Sequence, residues 1–403
     1  MKIKELKISL ELQILIESIK VVLLDEPTLH FSSLINLSSV DWERIKKMLA
    51  YHRIRPVFYE ACRRVGFSNM YIQQLEKFVK IQVLSSLTDK NELENISTIL
   101  QEKNIEVLPY KGILFSEKLY HNLALRESSD IDIIVKEEHA KEGLKALLNA
   151  GFEVKIEKKI NLDFSNENVL DNLLKIPSRE LSLRRKQKRN EVRNIDYHWA
   201  ISEKYRGNVI NIEDFFKDII LEDFGKKKIW VPNPKGIFKL LLNHHGGRDC
   251  WMRLKDVCDL IAFRSKYSYL DIKLLLKYAS EMQMVRTFEL GMYLCENLSS
   301  KKLKHVEKDY KIVSKVIESW EDSIQLSDNS QLFKYFSLYR HLQDEKLNWW
   351  GTFLLIVKVL STPHILEHRR LITFSEQYVL LNAFAKALSF VYYKLLKKKL
   401  IDY

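Results

Sequence analysis

Apolar residues along this chain follow two rhythms. From residue 1 to about 95 they recur at helical spacing: Leu10, Leu12, Ile14, Leu15 and Ile19, then the stretch DWERIKKMLAYHRIRPVFYEACRRVG. In that stretch Asp41 stands where an N-cap belongs, just ahead of Trp42. Residues 1–95 therefore predict an N-terminal helical domain. At about 96 the rhythm changes. A helix (ENISTILQEKN) is followed by a short strand (IEVLPY), a Lys111-Gly112 turn, a helix (ILFSEKLYHN) and the β-branched run DIDIIV. A helix over 138–149 should stop at Gly151, and FEVKI reads as a further strand. Segment 157–180 is polar without a clear period, and 181–199 predicts two strands folded over a basic turn near Gln187–Asn190. Beyond about 210 the helical rhythm returns and runs to Tyr403. The expected fold class is α+β: a small mixed β-sheet core at 96–205, flanked by helical domains at 1–95 and 206–403, mostly α overall.

Composition agrees with that picture. With 403 residues, 46% of them hydrophobic, the chain is long enough for two or three domains of roughly 100–200 residues. Glycine (11) and proline (7) are scarce, which suits a largely helical protein. Cys62, Cys250, Cys258 and Cys295 are scattered without metal or redox spacing, so they read as buried thiols of a reducing compartment. The start, MKIKELKISLELQ, lacks the apolar core and cleavage site of a signal peptide, and a cytoplasmic location is expected. The net charge of +12 favours anionic partners such as nucleotides, RNA or acidic lipid.

The chemistry concentrates in SSDIDIIV. On a strand, Asp130 and Asp132 project from one face while Ile131, Ile133 and Val135 enter the other. Paired carboxylates of this kind hold Mg²⁺ together with substrate phosphates. In the strand EVRNIDYHW, Asp196 alternates with Ile195 and Tyr197 and shares its face with His198. Three carboxylates on neighbouring strands, behind a glycine at a strand-to-helix turn, point to nucleotide handling.

At this point a resemblance becomes specific. PYKGILFSEKLYHNLALRESSDIDIIV is similar to the core motif of a large uncharacterised bacterial nucleotidyltransferase family in the polymerase-β-like superfamily. Three further blocks match in order: DWERIKKMLAYHRIRPVFY, NIDYHW and NHHGGRDCWMRLKDVCDLIAF. The resemblance implies that Asp130, Asp132 and Asp196 are the catalytic acids and the ligands of Mg²⁺ or Mn²⁺. It also implies that Lys111 and Gly112 face the triphosphate of an NTP substrate. Physics supports these roles: two metal ions can hold the attacking and leaving oxygens of a phosphoryl displacement. Gly112 admits a close backbone approach to phosphate, and Lys111 adds a mobile charge. Arg126, four residues before Asp130, either orients that aspartate or clamps phosphate. His198 is a partner of the acids, a substrate contact or a structural histidine, and Trp199 reads as core. The resemblance places His245, Trp251, Leu254 and Asp259 in a helical pair, with His245 and Arg248 as further nucleotide-contact candidates.

A metal reading of NHHGGRD is disfavoured, because consecutive histidines on an α-helix diverge by about 100°. The basic residues at 184–193 read either as a solvated hairpin or as a polynucleotide contact. Residues 378–396 approach membrane-spanning length but carry Asn382, Lys386 and Lys394. They predict a packed terminal helix, with weak membrane-surface association as the alternative. The expected function is Mg²⁺-dependent transfer of a nucleoside monophosphate from an NTP to an acceptor, with release of pyrophosphate. The acceptor is a small molecule, RNA or protein. The alternative is a catalytically silent RNA- or protein-binding regulator, antitoxin-like, on the same fold.

Overall fold

The structure, a computed structural model, describes residues 8–120, 122–155, 170–171, 174, 179–186, 192–202, 210–298, 310–322 and 328–343, with scattered positions from 350 to 388. In chain order its main elements begin with α1 (Leu10–Leu23), α2 (Leu29–Ile35), α3 (Trp42–His52), α4 (Arg55–Arg64) and α5 (Met70–Gln101). Then come β1 (Val107–Pro109), α6 (Ile113–Tyr120), β2 (Ile131–Val135), α7 (Ala140–Asn149), β3 (Glu153–Val154), β4 (Glu180–Lys186) and β5 (Val192–His198). The hairpin β6 (Ile219–Phe224) and β7 (Lys227–Pro232) precedes α8 (Pro234–Leu241), a π-helical segment (Leu242–Arg248) and α9 (Leu254–Lys266). The last elements are α10 (Ile272–Glu281), α11 (Val285–Leu298), α12 (Tyr310–Glu321) and α13 (Asp328–Leu342). The protein is α+β, mostly helical, with a small five-stranded mixed sheet. Two compact units emerge: Met1–Asn95, Pro109–Ile131 and Asp218–Lys346 form one, and Ile96–Leu108, Asp132–Lys217 and Leu347–Tyr403 the other.

The first unit is mostly helical. Ser9 Oγ accepts from the Leu12 amide at 3.2 Å to start α1, and Asp41 Oδ1 accepts from the Arg44 amide at 3.0 Å to start α3. Leu12, Ile14, Leu15 and Ile19 lose all their exposure as α1 packs on α2, α3 and α4. Each such side chain contributes about 1.5–3 kcal/mol of hydrophobic stabilisation. The helix expected at ENISTILQEKN is the end of the long α5 and no separate element. A second correction concerns 206–403, which is not helical throughout. Gly225 at φ 70° closes a two-residue loop between Phe224 and Lys227, and Phe224, Ile229 and Val231 bury one face of the hairpin. The run Lys226–Lys228 hides that alternation in the sequence.

The second unit carries the sheet, in the order β1-β2-β5-β4-β3. β3 with β4 and β4 with β5 pair antiparallel, and the β4–β5 register sets Glu180 opposite His198 and Ser182 opposite Asp196. β2 is an inner strand and is buried along its whole length, Asp132 included at 6% exposure. Leu144 and Leu147 of α7, with Leu183, Ile195 and Tyr197, supply the core. Gly143 lets α7 lie close: a Cβ there would stand 2.4 Å from the Tyr197 hydroxyl, which donates to the Ala140 carbonyl at 2.9 Å. Gly151 ends this helical region in the left-handed conformation, φ 88°.

Trp199 and all four cysteines are buried. Residues 187–191 of the basic turn and most of 378–399 lie outside the described residues. Among the described residues no helix is long and apolar enough to cross a membrane.

Candidate functional site

Two clusters hold most of the residues singled out by sequence. On the sheet, Asp132 of β2 and Asp196 of β5 come close enough for the charge of one to act on the other. Burial first, and then the Asp132 charge, raise the Asp196 carboxyl above its ordinary 3.8; the hydroxyl of Ser182 and the nearby His198 oppose this without prevailing. Ser182 Oγ donates to Asp196 Oδ1 at 2.8 Å from the facing position on β4. His198 has no exposed surface. Its Nε2 lies 3.2 Å from Asp132 Oδ1 and its Nδ1 3.2 Å from Glu180 Oε2. Glu180 in turn takes the Arg179 guanidinium at 2.8 Å. Asp130 directly precedes β2 and is half-buried.

Ser182 and Glu180 escaped sequence reasoning. Their places depend on the β4–β5 register, which the composition of the turn does not reveal.

The helical unit holds the second cluster. Lys111 and Gly112 form the turn into α6, and Gly112 adopts φ 49°, a conformation that strains any side chain. Arg126 Nη1 donates to the Gly112 carbonyl at 3.0 Å. The rest of its guanidinium engages Asp259, with Nε at 2.9 Å from Oδ1 and Nη2 at 3.0 Å from Oδ2. Tyr120 Oη donates to Asp259 Oδ1 at 2.7 Å. His245 Nε2 donates to Asp259 Oδ2 at 2.8 Å, while its Nδ1 lies 3.1 Å from Asp256 Oδ1. Burial alone would lower the His245 pKa, yet the two aspartates outweigh it and the net shift is upward from 6.5. Burial likewise disfavours charge on Asp259, but Arg126 and His245 hold that carboxyl far below the usual range. This is a buried network of acids and bases tied to the Lys-Gly turn through Arg126.

Arg126 and His245 are 3% and 1% exposed, so both stand inside this network. Lys111 Nζ and Arg248 Nη1, by contrast, approach His244 Nε2 at 3.2 and 3.4 Å from partly exposed positions.

The NHHGGRD stretch departs from expectation. It winds as a π-helix, and the rings turn toward each other, with His244 Nδ1 and His245 Nδ1 3.3 Å apart. With Asp249, they bring one potential ligand atom each within 4.8 Å. Lys111 Nζ and Arg248 Nη1 face His244 Nε2, and Asp249 Oδ2 lies 3.5 Å from its Nδ1. His245 faces a carboxylate at each nitrogen.

Residues 38–300 match the model of a family described as uncharacterised nucleotidyltransferase, and the chain belongs to that family. No curated protein matches it. A solved structure of an antigenic nucleotidyltransferase-like protein from Paracoccidioides brasiliensis aligns with 54% of this chain and 95% of its own. Its identity is 12% and its TM-score 0.31, a likeness too slight to carry an argument.

Proposed function

We propose that this protein is a divalent-metal-dependent nucleotidyltransferase that moves a nucleoside monophosphate from an NTP to an acceptor and releases pyrophosphate. Family membership supports the reaction class, and the carrying observation is that Asp132 of β2 and Asp196 of β5 stand on neighbouring strands, close enough for one charge to act on the other. Two carboxylates forced together in a partly buried place raise each other's cost of ionisation, and a hard divalent cation removes that cost. The donor set therefore fits Mg²⁺ or Mn²⁺ at Asp132 and Asp196, and Asp130, two residues before Asp132, is a further candidate ligand. When bound, such ions neutralise charge on the phosphoryl group in flight.

The chain's own residues do the remaining work. Asp196 is the candidate to accept the proton of the attacking acceptor hydroxyl. Ser182 fixes its Oδ1, and His198 fixes Asp132. Lys111 and the backbone at Gly112 take the triphosphate. Arg126 and His245 act as positioning residues, since their hydrogen bonds stiffen the turn from within the core.

The test is incubation with each α-labelled NTP and Mg²⁺ or Mn²⁺ in a cell extract, later split into RNA, protein and small-molecule fractions. Label entering one fraction, and lost with Asp132→Asn plus Asp196→Asn, supports the reading and names the acceptor class. Label entering none, with a partner still captured by that double variant, favours a silent regulator.

A further inference from the structure

We infer that His244, His245 and Asp249 form a binding site for a divalent transition metal of the zinc class, tetrahedral, with one position open. The inference goes beyond the transferase reading and does not depend on it. His244 Nδ1 and His245 Nδ1 stand 3.3 Å apart, and Asp249 Oδ2 stands 3.5 Å from His244 Nδ1. Zinc bound at about 2.0–2.1 Å sets two tetrahedral ligand atoms about 3.3–3.5 Å from each other. One ligand atom from each of the three residues lies within 4.8 Å of the others, and rotation of the half-buried Asp249 side chain closes the remaining edge. A lone N–H···N bond between the rings accounts for the first distance and not for the second.

The backbone assembles the trio. Consecutive histidines on an α-helix point about 100° apart. Here the Asp249 amide donates to the His244 carbonyl at 2.9 Å, five residues back, and the wider winding turns the two rings together. Gly246 and Gly247 permit it: a Cβ on the first would meet Thr287 Cγ2 at 2.2 Å, and on the second Met284 Cε at 2.5 Å. A ligating histidine donates its other ring N–H to a carboxylate, which fixes the ring. His245 does this, with Nε2 donating to Asp259 at 2.8 Å and Asp259 clamped by Arg126 and Tyr120. Asp256, 2% exposed, brings Oδ1 to 3.1 Å from His245 Nδ1, and its Oδ2 has no hydrogen-bond partner among the described residues. A cation at His245 Nδ1 thus arrives beside buried negative charge and replaces a proton there.

Lys111 Nζ and Arg248 Nη1 stand at His244 Nε2, the ring's other nitrogen. Ligation through Nδ1 leaves hydrogen on Nε2, so loading turns both cations away. Each has a partner to turn to: Arg248 Nε lies 3.9 Å from Asp249 Oδ1, the oxygen left over when Oδ2 ligates, and Lys111 Nζ lies 4.8 Å from the Tyr110 ring centre. Two imidazoles and one carboxylate select zinc, copper or nickel over magnesium, which takes oxygen. Three protein ligands leave the fourth position to water or to an oxygen of a bound molecule.

The experiment is titration of the full chain, stripped with a chelator, with Co²⁺ read by visible absorption and then with competing Zn²⁺. His244→Gln, Asp249→Asn and the sheet double variant Asp132→Asn with Asp196→Asn are measured beside it, with circular dichroism confirming the fold. The parent should give an intense tetrahedral spectrum that about one equivalent of Zn²⁺ bleaches and excess Mg²⁺ does not. His244→Gln and Asp249→Asn should each weaken binding about tenfold or more, and the sheet double variant should keep the spectrum. A weak octahedral spectrum or none in the parent overturns the inference. So does a spectrum unchanged in both folded single variants, or one lost with the sheet double variant. The two readings fail separately. A tetrahedral spectrum that depends on His244 and Asp249, with no NTP turned over by the parent, keeps the metal site and removes the transferase; label transfer without that spectrum does the reverse.

Discussion

Among the described residues two buried histidines, His245 and His198, are each set between two carboxylates, and their surroundings differ. In the helical unit His245 lies between Asp256 and Asp259, and Arg126 supplies the second cation. Asp259 is held ionised and takes hydrogen bonds from Tyr120, Arg126 and His245. On the sheet His198 lies between Asp132 and Glu180, and Arg179 again supplies a cation. Here a third carboxylate, Asp196, is added, and among the described residues its hydrogen-bond partner is the neutral Ser182. Its pKa moves up where that of Asp259 moves down. Asp259 is tied to two cations, whereas Asp196 has a carboxylate for a neighbour, and on the proposed reading it is there that a cation from outside would be held.

The strongest way to break this contrast is to remove the surplus. Asp132→Asn with Asp196→Asn should abolish nucleotidyl transfer, by about a thousandfold or more, because loss of metal removes several kcal/mol of transition-state stabilisation. The fold should hold, since two like charges leave a crowded face; thermal unfolding checks this. The matching change in the scaffold, Asp259→Asn, should act the other way round. It strands Arg126 and His245 in the core and should cost about 3–5 kcal/mol of stability, measured by denaturant unfolding. If Asp259→Asn left stability intact while the sheet double variant unfolded, the two clusters would have exchanged roles.

pH sharpens the same contrast. His245 has a folded pKa above 6.5, so its contribution is complete below 6.5 and is lost as pH rises through the higher folded value. The contribution of this single proton to the unfolding free energy should therefore decline from about pH 6.5 upward, by at most about 1.4 kcal/mol per pH unit. His245→Gln should start less stable and lose that slope, and a persistent slope would transfer it to another group.

What the sequence discloses follows the range of the forces involved. Helix α1 was legible from the helical spacing of Leu12, Ile14, Leu15 and Ile19, and α3 also from its cap, Asp41, which acts over three residues. Asp130, Asp132 and Asp196 could be singled out because strand alternation is local, and α6 and α7 because their periods are regular. The β6–β7 hairpin was missed where lysines fill the turn. The π-helix was missed because HHGG gives no sign that the winding will widen; that depends on Trp251 and Thr287 packing against Gly246. Asp256 and Glu180 were invisible as partners, since nothing local sets a helix turn or a facing strand beside its histidine.

The smallest effect isolates the surplus carboxylate itself. Ser182→Ala removes one hydroxyl that donates to Asp196 Oδ1 at 2.8 Å, and it leaves every charge in place. In stability it should cost only about 0.5–1.5 kcal/mol, the usual net worth of one hydrogen bond. In Mg²⁺ or Mn²⁺ affinity it should cost about tenfold, because a ligand carboxylate loses the partner that orients it. Titration of activity against metal concentration separates these, as the loss should be recovered at high metal with kcat restored. Ser182→Thr, which keeps the hydroxyl on a β-branched residue suited to a strand, should bind metal like the parent. If alanine and threonine behaved alike, Ser182 would be packing and nothing more, and Asp196 would owe its orientation to the strand alone.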